Sequence, residues 1–446
     1  MDIGNKEIKA LVGNSFVMDC YEICLVQQVN ENPITFKGPG SIYQDEEGVL
    51  NLKMYYMNDG DENIYRNVGY TDSGKVISND KYFHLKARDM AGGIWEAKNV
   101  QDVGDTYPSG KVIKTKLQSI ECVIEKKTES EKFLVLLIPG DQKIPANKYT
   151  NHDEGRTLNR CELLINDIKG SIEKKQGYLE VVFKKSESIP EEFEKRILQA
   201  LNIIFGKINF PVFSKIDVGK ISTKKIITLQ PDTPNNKVMG FIRYDEPFYA
   251  EDFQNFITCY VNFFEEGDHE FYGYWHKINR AWQGGFENMA LSLSVAIEGV
   301  VKEYFKELGY TDPTLLEEAE IAKKIIQQRC QFRKIKEILV GRLGNLKQSD
   351  AKTSLYTLSN NDVFPKDFIS QWKKLRHSSA HADKLDESPQ DIQKFVNQVW
   401  SCITLFNILL MHKIDYQGKF SGWSGEEWED ELIFPIVCDT ENSVSF

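Results

Sequence analysis

Two kinds of hydrophobic periodicity divide this chain. In the first half, apolar residues recur at every second position, as where Leu50, Leu52 and Met54 alternate with more polar residues. That period is typical of a half-buried β-strand. From about residue 250 onward, apolar residues recur every three or four positions, which indicates amphipathic helices. The pattern predicts an α+β protein, with a β-rich N-terminal region followed by an all-α C-terminal helical bundle.

Several segments refine this division. Apolar alternation at 120–124, a polar turn at 127–131 and an apolar run at 133–138 predict a β-hairpin. A strand at 178–183 and a helix that stops at Gly206 then mix the two element types. We therefore predict three parts: 1–175 as a β-rich sensor or regulatory domain, 176–249 as a mixed α/β connecting segment interrupted by prolines, and 250–446 as the helical bundle.

The C-terminal part contains four helical stripes. Aromatic residues at 253–264 form the first, and apolar residues at 286–304 form a second, long enough for the principal helix of a bundle. We expect a third helix at about 315–346. Ser388 followed by Pro389 and Asp391 is typical of a helix start, and the apolar stripe continues from there. With the helix before Arg376, these predict a bundle of four or five helices.

Composition and charge exclude several classes of protein. The chain has 446 residues, of which 41% are hydrophobic and 27% charged, as in ordinary globular proteins. Its net charge of −11 argues against a protein that coats nucleic acid indiscriminately, because any RNA contact must come from a local basic surface. The apolar runs 133–138 and 403–411 are too short to span a bilayer, and the N-terminus does not resemble a secretory signal. We expect a cytoplasmic protein that does not bind membranes.

Cysteine and metal chemistry are not indicated. The eight cysteines are scattered and none forms a CxxC pair, so neither a zinc site nor a disulfide framework is expected. Buried thiols in a reducing compartment are the favoured interpretation. We expect no metal and no cofactor.

The strongest candidate chemistry lies at Arg376 and His381. Arg376 carries a permanent, planar cation that suits phosphate oxygens, and His381 can exchange a proton near neutral pH. Cleavage of RNA by its own 2′-hydroxyl needs these two functions and no metal. Residues five apart on one helix point about 140° apart, so a shared pocket requires the helix to end between them. Ser378 and Ser379 are the predicted position of that break.

This motif is short, and other interpretations stay open. Arg followed five residues later by His recurs by chance, and Arg376 could bond to carbonyls at a helix end while His381 lies on the surface. His377 could position substrate, hold Arg376, or only occupy a helix C-terminus where a cation is favourable. Glu298 lies beside the apolar stripe of its helix, and its carboxylate could orient Arg376 or could be solvated. Both residues are accessory candidates.

The motif resembles that of a known family. A helix that leads into Arg376, a polar residue directly after it (His377), a short spacer and then His381, within a C-terminal helical bundle, resembles the HEPN ribonucleases. The stretch 293–298, Leu-Ser-Val-Ala-Ile-Glu, is similar to the early HEPN helix that carries an acidic residue. The stretches 36–42, 45–52 and 198–206 resemble the N-terminal region of ApeA-type bacterial anti-phage proteins.

This resemblance implies a function. It implies a metal-independent endonuclease that cleaves tRNA or another cellular RNA by transesterification, with Arg376 and His381 as catalytic residues. It also implies a homodimer through the HEPN-like bundle, and a role in abortive infection set off by a phage-derived trigger. The basic residues Arg329, Arg333 and Lys336 are weak candidates for RNA binding, although a solvated helix face is the default interpretation.

Two rival functions remain. In the first, the bundle is a non-catalytic HEPN-like module for RNA binding or dimerisation that retains Arg376 and His381 for structure. In the second, the chain is an enzyme of another kind, with its chemistry in the N-terminal half. Loss of toxicity on His381→Ala would argue against the first, and activity from an isolated fragment of about residues 1–245 would support the second.

Overall fold

The computed structural model describes residues 5–28, 31–57, 74–101, 104–128, 131–152, 155–185, 189–190, 192–229, 240–263, 271–309, 313–345, 350–381, 388–425 and 427–434. The chain forms two compact units. The first contains Met1–Leu198, Asn209–Asn235 and Asp245–Ala250, and the second contains Gln199–Ile208, Asn236–Tyr244 and Glu251–Phe446. The segment 176–249 is thus divided between the two units.

The first unit is built on one antiparallel sheet. The chain therefore has the predicted β-rich N-terminal region, followed by helices. A short helix, α1 (Asn5–Val12), precedes the sheet. Helix α2 (Phe193–Phe205), which spans the division between the units at Leu198, interrupts the run of strands in sequence. The strands are β1 (Val17–Gln27), β2 (Thr35–Gln44), β3 (Leu50–Met57), β4 (Tyr82–Asp89), β5 (Ile94–Gln101), β6 (Gly104–Tyr107), β7 (Gly110–Leu117), β8 (Ser119–Glu125), β9 (Lys132–Pro139), β10 (Lys148–His152), β11 (Gly155–Ile165), β12 (Ile168–Lys175), β13 (Tyr178–Lys185), β14 (Phe213–Val218) and β15 (Ile221–Ile227).

The strand order corrects one sequence prediction. The fifteen strands lie in the order β10-β11-β12-β13-β9-β14-β15-β8-β5-β4-β1-β2-β3-β7-β6. The predicted hairpin of 120–124 with 133–138 is wrong, because β14 and β15 lie between β8 and β9. β15 pairs with β8 from Ile221↔Glu125 to Ile227↔Ser119, and β14 pairs with β9. Part of the predicted connecting segment therefore supplies two strands to the middle of the sheet.

Alternation along the strands produces the core of this unit. Strand β3 follows the predicted pattern, because Leu50, Leu52 and Met54 are fully buried. They join a hydrophobic cluster that draws residues from β1 to β5, β7 and β8. Burial of apolar area at about 25 cal/mol per Å² is the main force that holds these strands together.

Two glycines of β2 have a structural role. A Cβ atom at Gly38 would overlap the carbonyl oxygen of Tyr55, and one at Gly40 would overlap that of Lys53. Strand β3 therefore approaches β2 too closely for any larger residue at these positions. Glycine at positions 38 and 40 is thus what this strand pairing requires.

The second unit is mainly helical. Its α-helices are α3 (Ala250–Phe263), α4 (Phe271–Trp282), α5 (Phe286–Tyr304), α6 (Pro313–Arg329), α7 (Arg333–Asn345), α8 (Ala351–Asn360), α9 (Asp367–His381) and α10 (Pro389–Lys413). A two-stranded sheet of β16 (Gly418–Trp423) and β17 (Trp428–Phe434) follows them. Among the described residues, this unit has eight helices where we predicted four or five. One reason is that the predicted helix 315–346 is two helices, interrupted at 330–332.

Helix α10 is the most buried helix of this unit. It begins as predicted, because the Ser388 side chain caps it by accepting a hydrogen bond from the Asp391 amide at 3.2 Å. By length and composition alone it could cross a membrane, although 67% of its most apolar window is buried inside the protein. Its apolar composition thus matches that of a core helix.

We predict that the buried Asp217 stabilises the sheet. Its carboxylate is fully buried in β14, accepts hydrogen bonds from Ser222 and Lys126, and lies 3.9 Å from the Lys215 ammonium. Asp217→Ala would leave the Lys215 side chain, 9% exposed, without this counter-charge. We expect the free energy of unfolding to fall by about 3 kcal/mol, because removing one partner of a buried charge pair is costly. Urea-induced unfolding monitored by circular dichroism measures this loss.

The matched control is Asp105→Ala. Asp105 pairs with Lys114 at 3.8 Å, but both side chains are more than half exposed. Exposed pairs of this kind contribute about 0 to 1 kcal/mol, so this variant should unfold almost as the wild type does. Equal losses in both variants would contradict the role assigned to Asp217.

Candidate active site

Two neighbouring helices of the second unit position the candidate site. Helix α5 buries its apolar stripe, including Leu293, Ile297 and Val300, and Glu298 follows that stripe at its edge. Helix α9 buries Ile369, Trp372 and Leu375, which leaves Arg376 at the boundary with solvent. Because both helices turn their apolar faces into the same core, the residues beside those faces meet.

The carboxylate of Glu298 holds two cations. Its Oε2 accepts a hydrogen bond from Nη2 of Arg376 at 2.7 Å, and its Oε1 accepts one from Nζ of Lys302 at 2.6 Å. The Glu298 side chain is 21% exposed, whereas that of Arg376 is 53% exposed. Partial burial weakens solvent screening, so this charge-assisted contact fixes the guanidinium more firmly than a surface pair would. About half of the Arg376 side-chain surface is open to solvent.

Trp372 supports Arg376 from within the helix. The guanidinium carbon lies 5.7 Å from the centre of the Trp372 ring, within the range of a cation–π interaction. The ring is itself fixed, because it is buried and its Nε1 donates a hydrogen bond to the Ser294 carbonyl on α5 at 3.2 Å. Arg376 is thus held by contacts to both its own helix and the neighbouring one.

The helix break predicted at Ser378 and Ser379 is not present. Helix α9 continues to His381. The Ser378 hydroxyl donates to the carbonyl of Lys374 at 3.2 Å and to that of Leu375 at 3.1 Å, so it bonds back to the preceding turn. This is the way in which serine is accommodated inside a helix. The backbone positions of Arg376 and His381 therefore lie about 140° apart around the helix, so the two residues of one chain do not share a helix face.

The other residues of the motif, His377 and His381, also lie on α9. His377 is exposed on α9 next to Arg376. The backbone of His381 closes α9, but its side chain, like that of Ser379, lies outside the described residues. Of the predicted residues, the structure therefore brings Glu298 and Arg376 into contact.

The basic candidates for RNA binding lie elsewhere on the second unit. Arg329 is exposed at the end of α6, and Arg333 pairs with Glu337 at 3.2 Å along α7. Lys336 donates a hydrogen bond to the Gln327 carbonyl and so links α7 to α6. Of these three cations, Lys336 thus links the two helices and Arg333 pairs within α7.

Two residues of the site were not predicted. Lys302 follows Glu298 by four positions, and Trp372 precedes Arg376 by four. This spacing places each pair on one helix face, and a glutamate four residues before a lysine is a favourable arrangement. Both four-residue spacings are visible in the sequence, but no nearby residue indicates that the two pairs contact each other.

The described residues offer no metal centre. Within them, no group of three or more histidine, cysteine, aspartate or glutamate side chains could hold a metal ion. Seven cysteines in this part of the chain are free thiols, and Cys438 lies outside it. Burial raises the pKa of the Cys161 thiol to about 12, which suppresses its reactivity.

Chemically, the arrangement presents a fixed cation to solvent. A half-exposed guanidinium that a carboxylate holds in place can bind a phosphate oxygen. No family model, no curated protein and no solved structure matches this chain.

We predict that Glu298 stabilises the contact between α5 and α9. Glu298→Ala would leave Arg376 and Lys302 close together without their shared counter-charge. We expect the free energy of unfolding to fall by about 1 to 2 kcal/mol, since a partly buried ionic network exceeds an exposed pair. Thermal and urea unfolding of the full chain would measure it.

Glu337→Ala is the control for this prediction. Glu337 also pairs with a cation four residues away, Arg333, but both side chains are about two thirds or more exposed. Its removal should change the free energy of unfolding by less than about 0.5 kcal/mol. If Glu298→Ala were equally neutral, Glu298 would not hold Arg376 in solution.

Proposed function

We propose that this chain is an endoribonuclease of the HEPN type. The observation that carries the proposal is the state of Arg376, which is held by Glu298 and Trp372 and yet half exposed. A solvent-exposed arginine without a function does not require contacts that fix its guanidinium. A guanidinium that must meet the charge growing on a phosphorus atom benefits from being positioned beforehand.

The proposed reaction is transesterification. The 2′-oxygen of the RNA attacks the adjacent phosphorus while a general base takes its proton, and the bond from phosphorus to the 5′-oxygen breaks as a general acid protonates that oxygen. The products carry a 2′,3′-cyclic phosphate and a 5′-hydroxyl. His381 acts as the base or acid, and Arg376 binds the non-bridging oxygens. Water is not consumed, and no metal or cofactor enters the reaction.

Helix geometry indicates how these residues would be combined. On the unbroken α9, Arg376 and His381 lie about 140° apart around the helix and about 7.5 Å apart along it. A two-fold homodimer that places two motifs face to face would instead bring Arg376 of one copy to His381 of the other. The proposed site is therefore composite, with a cleft between two helical units.

The biological setting is part of the proposal and follows from the resemblance. The RNase would act in bacterial anti-phage defence by abortive infection, with tRNA as the first substrate to test. The β-rich first unit would sense a phage-derived trigger. An RNase of this kind must be restrained in the resting cell, because its activity harms the host.

One observation favours a second candidate function. An unbroken α9 allows Arg376 to be a purely structural cation that pairs with Glu298 and packs on Trp372. The bundle would then be a non-catalytic module for RNA binding or dimerisation. The two candidates differ in whether His381 is needed for RNA cleavage.

We predict metal-independent cleavage of RNA. End-labelled bulk tRNA incubated with the full chain in excess EDTA should be cut, and the fragments should carry cyclic phosphate and 5′-hydroxyl ends. His381→Ala and Arg376→Ala should each lower the rate by about 100-fold or more, because each removes a group that acts in the transition state.

Lys373→Ala is the matched control for this assay, since Lys373 is an exposed cation on the same helix. It should retain nearly full cleavage. Cleavage that is equal in the wild type and in His381→Ala would place the activity elsewhere. Full binding of tRNA without cleavage by the wild type, with and without phage lysate, would favour the non-catalytic module.

A mixing experiment tests whether the site is composite. Arg376→Ala and His381→Ala chains should each be inactive alone, but half of randomly mixed dimers contain one of each. Such a dimer retains one intact pair, so about one quarter of the wild-type activity should return. Continued inactivity after exchange of subunits would show that each chain needs both of its own residues.

A further inference from the structure

Helix α6 exposes apolar side chains that a surface helix would normally bury. Ile321 is 59% exposed and Ile325 is 49% exposed, and Leu315 is exposed to a similar degree. Ile321 and Ile325 are four residues apart, so they lie one above the other on a single face. On the adjoining α7, Ile335 and Ile338 are also more than half exposed. Patches of this kind mark interaction surfaces.

The charges beside this face have an ordered arrangement. At about 100° per residue, Glu318 and Arg329 fall on one flank of the line through Ile321 and Ile325. Glu317 and Lys324 fall on the other flank. All four side chains are exposed. On both flanks the acidic residue is nearer the start of the helix and the basic residue is nearer its end.

These opposite charges are too far apart to pair within one helix. Glu318 and Arg329 are eleven residues apart, which is about 16 Å along the axis, and Glu317 and Lys324 are about 10 Å apart. Ion pairs within a helix form at three or four residues. The first flank is therefore complementary to a helix that runs in the opposite direction and carries the same sequence, because its two charges are centred, like Ile321 and Ile325, near residue 323. Glu317 and Lys324 are centred near residue 320 and do not face each other in that register.

We propose that α6 pairs with α6 of a second copy of this chain, antiparallel about a two-fold axis near Lys323. Ile321 then packs against Ile325 of the second copy, and Ile325 against Ile321. On the first flank, Glu318 faces Arg329 of the second copy, and the reverse pair forms by symmetry. An isologous interface requires this self-complementarity. In antiparallel helix pairs, residues on corresponding flanks meet in the same way.

A second copy fits this face better than an unrelated partner does. An acidic or basic partner would match one half of α6 and be repelled by the other half. The 17-residue helix is about 25 Å long, and the exposed Ile335 and Ile338 of α7 extend the apolar surface beside it. This pairing rests on the proposed function, because a composite site needs a dimer. The test of the pairing involves no RNA.

The test is the oligomeric state of the full chain by sedimentation velocity over a range of concentrations. The wild type should be a dimer at tens of micromolar. Glu318→Arg or Arg329→Glu alone should raise the dissociation constant by at least tenfold, because each places like charges opposite each other twice per dimer. The double variant E318R/R329E restores both pairs and should dimerise within about threefold of the wild type.

Lys323→Glu is the control, because Lys323 lies on the opposite side of α6 from Ile321 and Ile325 and contacts Glu320. It should leave the dimer unchanged. A wild-type monomer, or single reversals that dimerise normally, would overturn the proposal. Failure of the double variant to recover would also overturn it, provided that circular dichroism shows the helices intact.

Cross-linking gives a second readout that does not depend on charge. In a Cys330→Ser background, Ile321→Cys chains with one affinity tag are mixed with Ile325→Cys chains with another. A short bis-maleimide should join the two differently tagged chains efficiently. Preferential linkage of Ile321→Cys to itself, or no linkage between chains, would contradict the antiparallel register. Neither readout depends on whether the protein cleaves RNA.

Discussion

The carboxylate of Glu298 is the interaction on which the candidate site depends. It lies where the apolar faces of α5 and α9 meet solvent, and it bonds to Arg376 on one side and to Lys302 on the other. One negative charge between two positive ones leaves a net positive site in a chain of net charge −11. The same contact that ties the helices together therefore also creates local attraction for an anion.

The parts of the fold that follow from local chemistry were predictable. The Ser388 cap, the strand at Leu50–Met57 and the stripe of α5 each depend on neighbours within a few residues. The order of the strands was not predictable in this way, because β14 and β15 enter the sheet between β8 and β9 from far along the chain. Pairing of that kind is decided by burial and by the entropy of closing long loops, which sequence patterns do not contain.

The same distinction between local and long-range contacts applies to the candidate site. The four-residue spacings of Glu298 with Lys302 and of Trp372 with Arg376 were visible in the sequence, whereas the contact between the two pairs depends on the packing of α5 against α9. The end of α9 was wrongly predicted for a different reason. Serine can bond either to a turn outside a helix or to a carbonyl four residues earlier inside it, and Ser378 does the second. Its sequence neighbours are the same in both cases.

An unbroken α9 changes what a catalytic site would require of this chain. If one helix cannot direct Arg376 and His381 to the same phosphate, the second group must come from another chain, and dimerisation becomes part of the chemistry. Two acidic chains repel each other and repel RNA at long range, with screening beyond about 10 Å at ordinary salt. Short-range ion pairs such as those proposed along α6 would then offset the repulsion between the two chains. Arg376, whose position is fixed before RNA binds, would offset the repulsion of RNA at the position where the scissile phosphate must bind.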